Sequence, residues 1–144
     1  MPPYADIYVL APSRTVSAIM AFLDRFAPVR EVTASEYEIP QYADSPHTIF
    51  RTAHEVVDYC CRHPAETQAI YWRRIGEGDP VFAMVFFTSD GQLVLGLSIA
   101  GDTEQSFLAE LRAHAGSEIG YITAESPPPD TAAEFRRIAQ SSFA

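Results

Sequence analysis

Apolar positions along the chain recur with two different periods, and each period marks a set of elements. DIYVLA, residues 6 to 11, is a short run rich in β-formers that stops at Pro12, so it reads as a strand well inside a sheet. Val16, Ile19, Met20, Leu23 and Phe26 follow at the i, i+3, i+4, i+7 spacing of one helix face. Ser13 is its expected cap, and Pro28 stops it after about Ala27. VREVTASEYEI, residues 29 to 39, alternates loosely and is rich in Glu, which predicts one strand at or near a sheet edge, where charge discourages further pairing. QYADSPH is a loop, and a helix is expected from about Ile49 to Arg62, closed by His63 and Pro64.

Three strand-like runs come next, at 67–75, 81–88 and 92–100. The last two are joined by Ser89-Asp90-Gly91, where Asp-Gly is a hairpin signal, so the three form an antiparallel meander. VFAMVFF and LVLGLSI are apolar at both parities. They belong at the centre of the sheet, covered by helices on both sides or on one side by a second copy of the chain, hence the expectation of a homodimer. Asp102 or Thr103 caps a helix whose Phe107, Leu108, Leu111 and Ala115 face inward and which Gly116 ends. EIGYITAE, 118 to 125, is a further strand, and Pro127-Pro128-Pro129 a stiff connector. Asp130 is the expected cap of a last helix carrying Ala133, Phe135, Ile138 and Ala139. The order β-α-β-α-β-β-β-α-β-α predicts a single α+β domain over 1–144, with a mostly antiparallel sheet of about five or six strands and about four helices.

Composition narrows the function classes. Ten basic against nineteen acidic residues leave a net charge of −9, which disfavours nucleic acid and anionic membrane surfaces. It suits solubility and a basic protein partner. Every basic residue is Arg and there is no Lys or Asn, a bias that reads as codon usage in a GC-rich bacterial genome. The N-terminal stretch lacks the basic and apolar regions of a signal peptide, and no apolar run is long enough to span a bilayer. Free thiols at Cys60 and Cys61 fit a reducing cytoplasm.

HEVVDYCC, residues 54 to 61, begins like the H-E-x-x-H box of zinc hydrolases but has Asp58 in the fifth place. His54, Asp58 and Cys61 share one ridge of a helix at i, i+4, i+7, a geometry that can hold metal. On the same wheel Val56, Val57, Cys60 and Cys61 form a core stripe. Arg51 to Glu55 and Asp58 to Arg62 then make i, i+4 pairs on a solvated flank. The core reading is preferred, with no metal and no cofactor, and a small metal-binding protein or hydrolase as the alternative. His47, His63 and His114 are scattered, there is no G-x-S-x-G elbow, and G-E-G-D and G-D-T-E are too acidic to cradle phosphate, so no catalytic residue is assigned.

Tyr71-Trp72-Arg73-Arg74 is the unusual surface stretch. On a strand, Tyr71 and Arg73 share one face and Trp72 and Arg74 the other, so one face either exposes an aromatic beside an arginine or packs it on a helix or subunit. Packing in the core is the commoner outcome, and the interface reading stands because these residue types dominate binding hot spots. GSEIGYITAESPPP, 116 to 129, resembles the C-terminal part of small bacterial immunity proteins that neutralise polymorphic toxins. The resemblance implies a non-enzymatic inhibitor whose acidic residues block a basic toxin domain, and it carries over no individual residue; the interface candidates are Tyr71, Trp72, Arg73, Arg74 and Glu125.

Overall fold

The computed structural model describes residues 4–141. Its elements are β1 (Ala5–Ala11), α1 (Val16–Phe26), β2 (Arg30–Val32), β3 (Tyr37–Ile39), β4 (Thr48–Phe50), α2 (Ala53–Arg62), β5 (Gln68–Arg74), β6 (Phe82–Phe87), β7 (Leu93–Ile99), α3 (Glu104–Ala115), β8 (Gly120–Thr123) and α4 (Ala132–Ser141). Six strands form one antiparallel sheet in the order β2-β5-β6-β7-β1-β8, and β3 and β4 pair as a separate ribbon. The α+β class and the 5–6–7 meander are those the periodicity predicts. No helix among the described residues is long and apolar enough to cross a membrane.

Strand parity divides the core in two. Ile7, Val9, Ile70, Val85, Leu95 and Leu97 pack with Ile19 and Phe22 of α1, Val56 of α2 and Leu111 of α3 on the first face. Tyr8, Leu10, Met84, Phe86 and Val94 pack with Phe135 and Ala139 of α4 on the second. Both parities of β6 and β7 are therefore covered within one chain, by three helices on one side and by one on the other.

Four expected boundaries move, each because a local partner wins. The 29–39 run splits into β2, in the large sheet, and β3, in the ribbon, since Thr33 bonds Tyr71 O through its hydroxyl as the chain leaves the sheet. The helix expected from Ile49 begins at Ala53. Thr48–Phe50 pairs with β3, and Thr52 caps α2 by accepting from Glu55 N while its hydroxyl donates to the Glu55 carboxylate. Arg51 thus precedes the helix and lies 4.0 Å from Glu36 rather than pairing with Glu55. Thr15, not Ser13, caps α1. Asp130 does not cap α4: Thr131 Oγ1 accepts from Glu134 N, and the Asp90 carboxylate, from the β6–β7 turn, accepts from Ala132 N at 2.8 Å and Ala133 N at 3.2 Å.

Arg14 holds the first layer together. Its guanidinium donates to the carbonyls of Cys60, His63, Glu66, Thr88 and Gln92 at 2.7 to 3.2 Å and lies 4.9 Å over the Phe87 ring. The end of α2, the lead into β5 and the β6–β7 hairpin thereby share one cation, which also suits the negative C-terminal end of α2. Arg14→Met leaves those carbonyls without this donor and is expected to cost about 3 kcal/mol in urea unfolding. Arg14→Lys should recover less than half of that, because an ammonium has fewer donors and no fork.

Asp90 makes α4 sensitive to pH. Slight burial pushes its carboxyl up, but the Ala132 amide, the Thr88 hydroxyl and the Ala133 amide outweigh this and hold it below its ordinary range. A depressed folded value means that the contribution is complete above the unfolded value, about pH 4, and is lost as pH falls through the folded one. Asp90→Ala is expected to lose about 1 kcal/mol at neutral pH. It should also fall less in stability on acidification than the parent, as read by urea melts with α4 followed by hydrogen exchange.

Candidate functional site

Antiparallel register lines side chains of the second face into rows across the sheet. Ala69, Phe86, Val94 and Leu10 form one row, in the cluster closed by Phe135 of α4. The next row is Tyr71, Met84, Gly96, Tyr8 and Tyr121. The third is Glu31, Arg73, Phe82, Ser98, Asp6 and Thr123, from six successive strands. Phe82, Ser98 and Asp6 of this last row, with part of the second, line a groove of about 430 Å3, walled by Tyr4, Tyr8, Tyr71 and Phe82, floored by Asp6 and Ser98, and rimmed by Glu125 and Pro127. A second cleft of about 450 Å3 shares Tyr71 and Pro127 and runs on between the Gln41–Tyr42 loop and the proline connector.

Gly96 makes room for the floor. A Cβ there would stand 2.8 and 2.9 Å from ring carbons of Tyr8, which lies across the strand and is 1% exposed. Ring edges meet Tyr8 from Phe86 at 5.6 Å and Tyr121 at 5.8 Å, and Phe86 also meets Tyr71 at 5.8 Å. The Tyr8 hydroxyl donates to Ser126 O at 2.8 Å, tying the proline connector to β1. Beside it, Ser98 Oγ donates to Asp6 Oδ1 at 2.6 Å. Burial, reinforced by Asp6, pushes the Tyr8 phenol above its usual range, burial pushes Tyr71 up as well, and it takes Tyr121 to about 12. These phenols stay protonated at neutral pH, so the groove offers phenol hydroxyls and ring faces beside the Asp6 and Ser98 side chains.

The rim is conformationally strained. Tyr42 at φ 65° and Glu125 at φ 49° are the non-glycine residues with positive φ among the described residues, and both line these clefts. Each such conformation costs about 1–3 kcal/mol, and strain of this kind gathers at functional sites. Tyr42, 80% exposed, is fixed by its neighbour: the Gln41 side-chain amide accepts from Ala69 N and donates to Ala69 O, standing in for a strand along the open edge of β5.

The predicted interface residues part company. Tyr71 and Glu125 meet at the groove. Trp72 is buried on the first face, 5% exposed, and packs in the core rather than on a surface. Arg73 is half exposed and paired with Glu31. Arg74 buckles the 75–80 turn, donating to Pro80 O and Glu77 O at 2.7 Å. Sequence reading missed Asp6, Tyr8 and Ser98. Its one available signal was a carboxylate inside an otherwise apolar central strand, where Asp is rarely buried without a reason.

The opening metal motif does not gather a site. His54 is exposed, Asp58 accepts from Arg62 at 2.9 and 3.2 Å, and Cys61 packs against the first core. Among the described residues there is no group of three or more His, Cys, Asp and Glu able to hold a metal ion. Burial pushes the Cys60 thiol to about 12 and raises Cys61, against the opposing pull of Arg14, so neither is an activated thiolate. His63 stacks on Tyr59 at 3.9 Å and donates to its carbonyl, and His114 meets Phe26 edge-on at 5.5 Å.

No family model, curated protein or solved structure matches the chain. Function is therefore read from the groove's own chemistry. Gly96→Ala is expected to destabilise by about 1–3 kcal/mol through overpacking and to displace the Tyr8 ring, measured as a lower urea midpoint with altered near-UV dichroism.

Proposed function

We propose that this chain is a non-enzymatic protein-binding protein of inhibitor or immunity type that docks a basic partner on the open half of its second sheet face. The observation that carries the reading is the groove itself: an aromatic wall above a buried carboxylate, with the strained Glu125 on its rim and the strained Tyr42 on the adjoining cleft. Tyrosine-rich walls supply large contact area at low entropy cost, the usual make-up of an energetic hot spot. The net charge of −9 favours a partner of opposite sign, and for the same reason disfavours a second copy of this chain.

Position-specific cross-linking tests it. With a photoreactive phenylalanine analogue at Glu125, on the groove's rim, or at Tyr42, on the adjoining cleft, both exposed, cells that make this protein are expected to yield a discrete adduct with another protein. The same analogue at Ala21 of α1 or Gln105 of α3, exposed on helices that cover the first face, should give none. Equal adducts from both sets of positions, or none from the rim, would reject the assignment.

A further inference from the structure

Resting on that protein-binding reading, we infer that the floor of the groove is a cation site that receives an arginine side chain of the partner, with Asp6 as its counter-ion and tyrosine rings as its walls. Asp6 is 8% exposed, and no Arg or His lies within ion-pair distance of it among the described residues. Its two oxygens are served unequally. Oδ1 takes the Ser98 hydroxyl at 2.6 Å. Among the described residues Oδ2 faces only the Tyr8 hydroxyl, at 3.4 Å, and that hydroxyl has a single proton, which Ser126 O takes at 2.8 Å. A carboxylate withdrawn from water with one oxygen short of a donor is an expensive arrangement unless a charged donor completes it.

The surroundings select the donor. Tyr4 and Phe82 meet edge to face at 6.2 Å at one end, and the half-buried Tyr71 walls the groove further in above the buried Tyr8, so that Tyr4, Phe82 and Tyr71 are the rings on which a planar guanidinium stacks favourably. One buried carboxylate among neutral hydroxyls balances a single positive charge, whereas a divalent metal would need further ligands that are not gathered here. Glu125 at the mouth adds to the attraction. Arg73, the basic residue of the same row, is turned away: it pairs with Glu31 on β2, and its backbone is three strands from Asp6, roughly 14 Å. That separation exceeds the screening length of about 8 Å at physiological salt.

The test uses the full chain and two blocked amino acids, N-acetylarginine methylamide and its neutral isostere N-acetylcitrulline methylamide, titrated by NMR. The arginine probe is expected to give saturable shifts centred on Asp6, Tyr8, Tyr71 and Ser98, and the citrulline probe at least about tenfold weaker binding, the loss of one charge-assisted contact. Asp6→Asn, which keeps the side chain's shape, should weaken the arginine probe by a similar factor, and Glu125→Gln by less. Indistinguishable titrations with the two probes, shifts centred elsewhere, or no saturable binding would overturn the site. The comparison of the two probes on the unaltered protein holds even where Asp6→Asn fails to fold. An arginine probe that fails while a rim cross-link succeeds removes the cation site and leaves the partner. A probe that binds without any cross-link leaves the cation site and removes the partner.

Discussion

Arg14 gathers five carbonyls from the end of α2, the lead into β5 and the turn between β6 and β7. The orphan carbonyls at a helix end and at a hairpin must find donors wherever the chain withdraws them from water. A single fork with several N–H groups meets that demand at one point, and Phe87 supports it from below. The consequence reaches the opposite side of the sheet. Arg14 braces the start of β5 beside the β6–β7 turn, and on the other face the same strands set Tyr71 opposite Met84 and Phe82 opposite Ser98, the pairs in the rows on which the groove is built.

The groove exists because the two faces of the sheet are covered unequally. Three helices close the first face, while α4 alone reaches the second, anchored at its start by Asp90 and at its centre by Phe135 against Tyr121. Tyr8 then does two things at once. Its ring fills the place beside Gly96 where a side chain would otherwise stand, and its hydroxyl holds the connector that forms one wall. The open row beyond it is consequently rigid at its base, which lowers the ordering cost of any partner that docks there.

Local chemistry was legible where a short window contained the cause. The Asp-Gly turn, the apolar spacing of α1, the inward Leu108 and Leu111 of α3 and the left-handed Gly116 at its end all follow from neighbouring residues and are found as expected. The helix wheel likewise separated Val56, Val57 and Cys60 from Asp58 and Arg62. Failures came where a residue answers to something distant. Ile49 and Phe50 extend a helical pattern but pair with β3, and the donors at the start of α4 are met by Asp90, 42 positions away, which had already been explained as a turn residue. Trp72 was half legible. Its parity was correct, but whether that parity met helices or solvent depended on where α1 and α2 lay.

By itself the sequence determined the α+β class, the meander, most of the helices, and which side chains of each strand share a face, since period two and period 3.6 are properties of the local backbone. What only the tertiary structure decided is strand order, register and coverage. Asp6 and Ser98 stand 92 positions apart and meet because β1 inserts between β7 and β8. A periodic pattern carries no term for pairings at that range, so the row that joins Asp6 to Ser98 could not be read from the sequence.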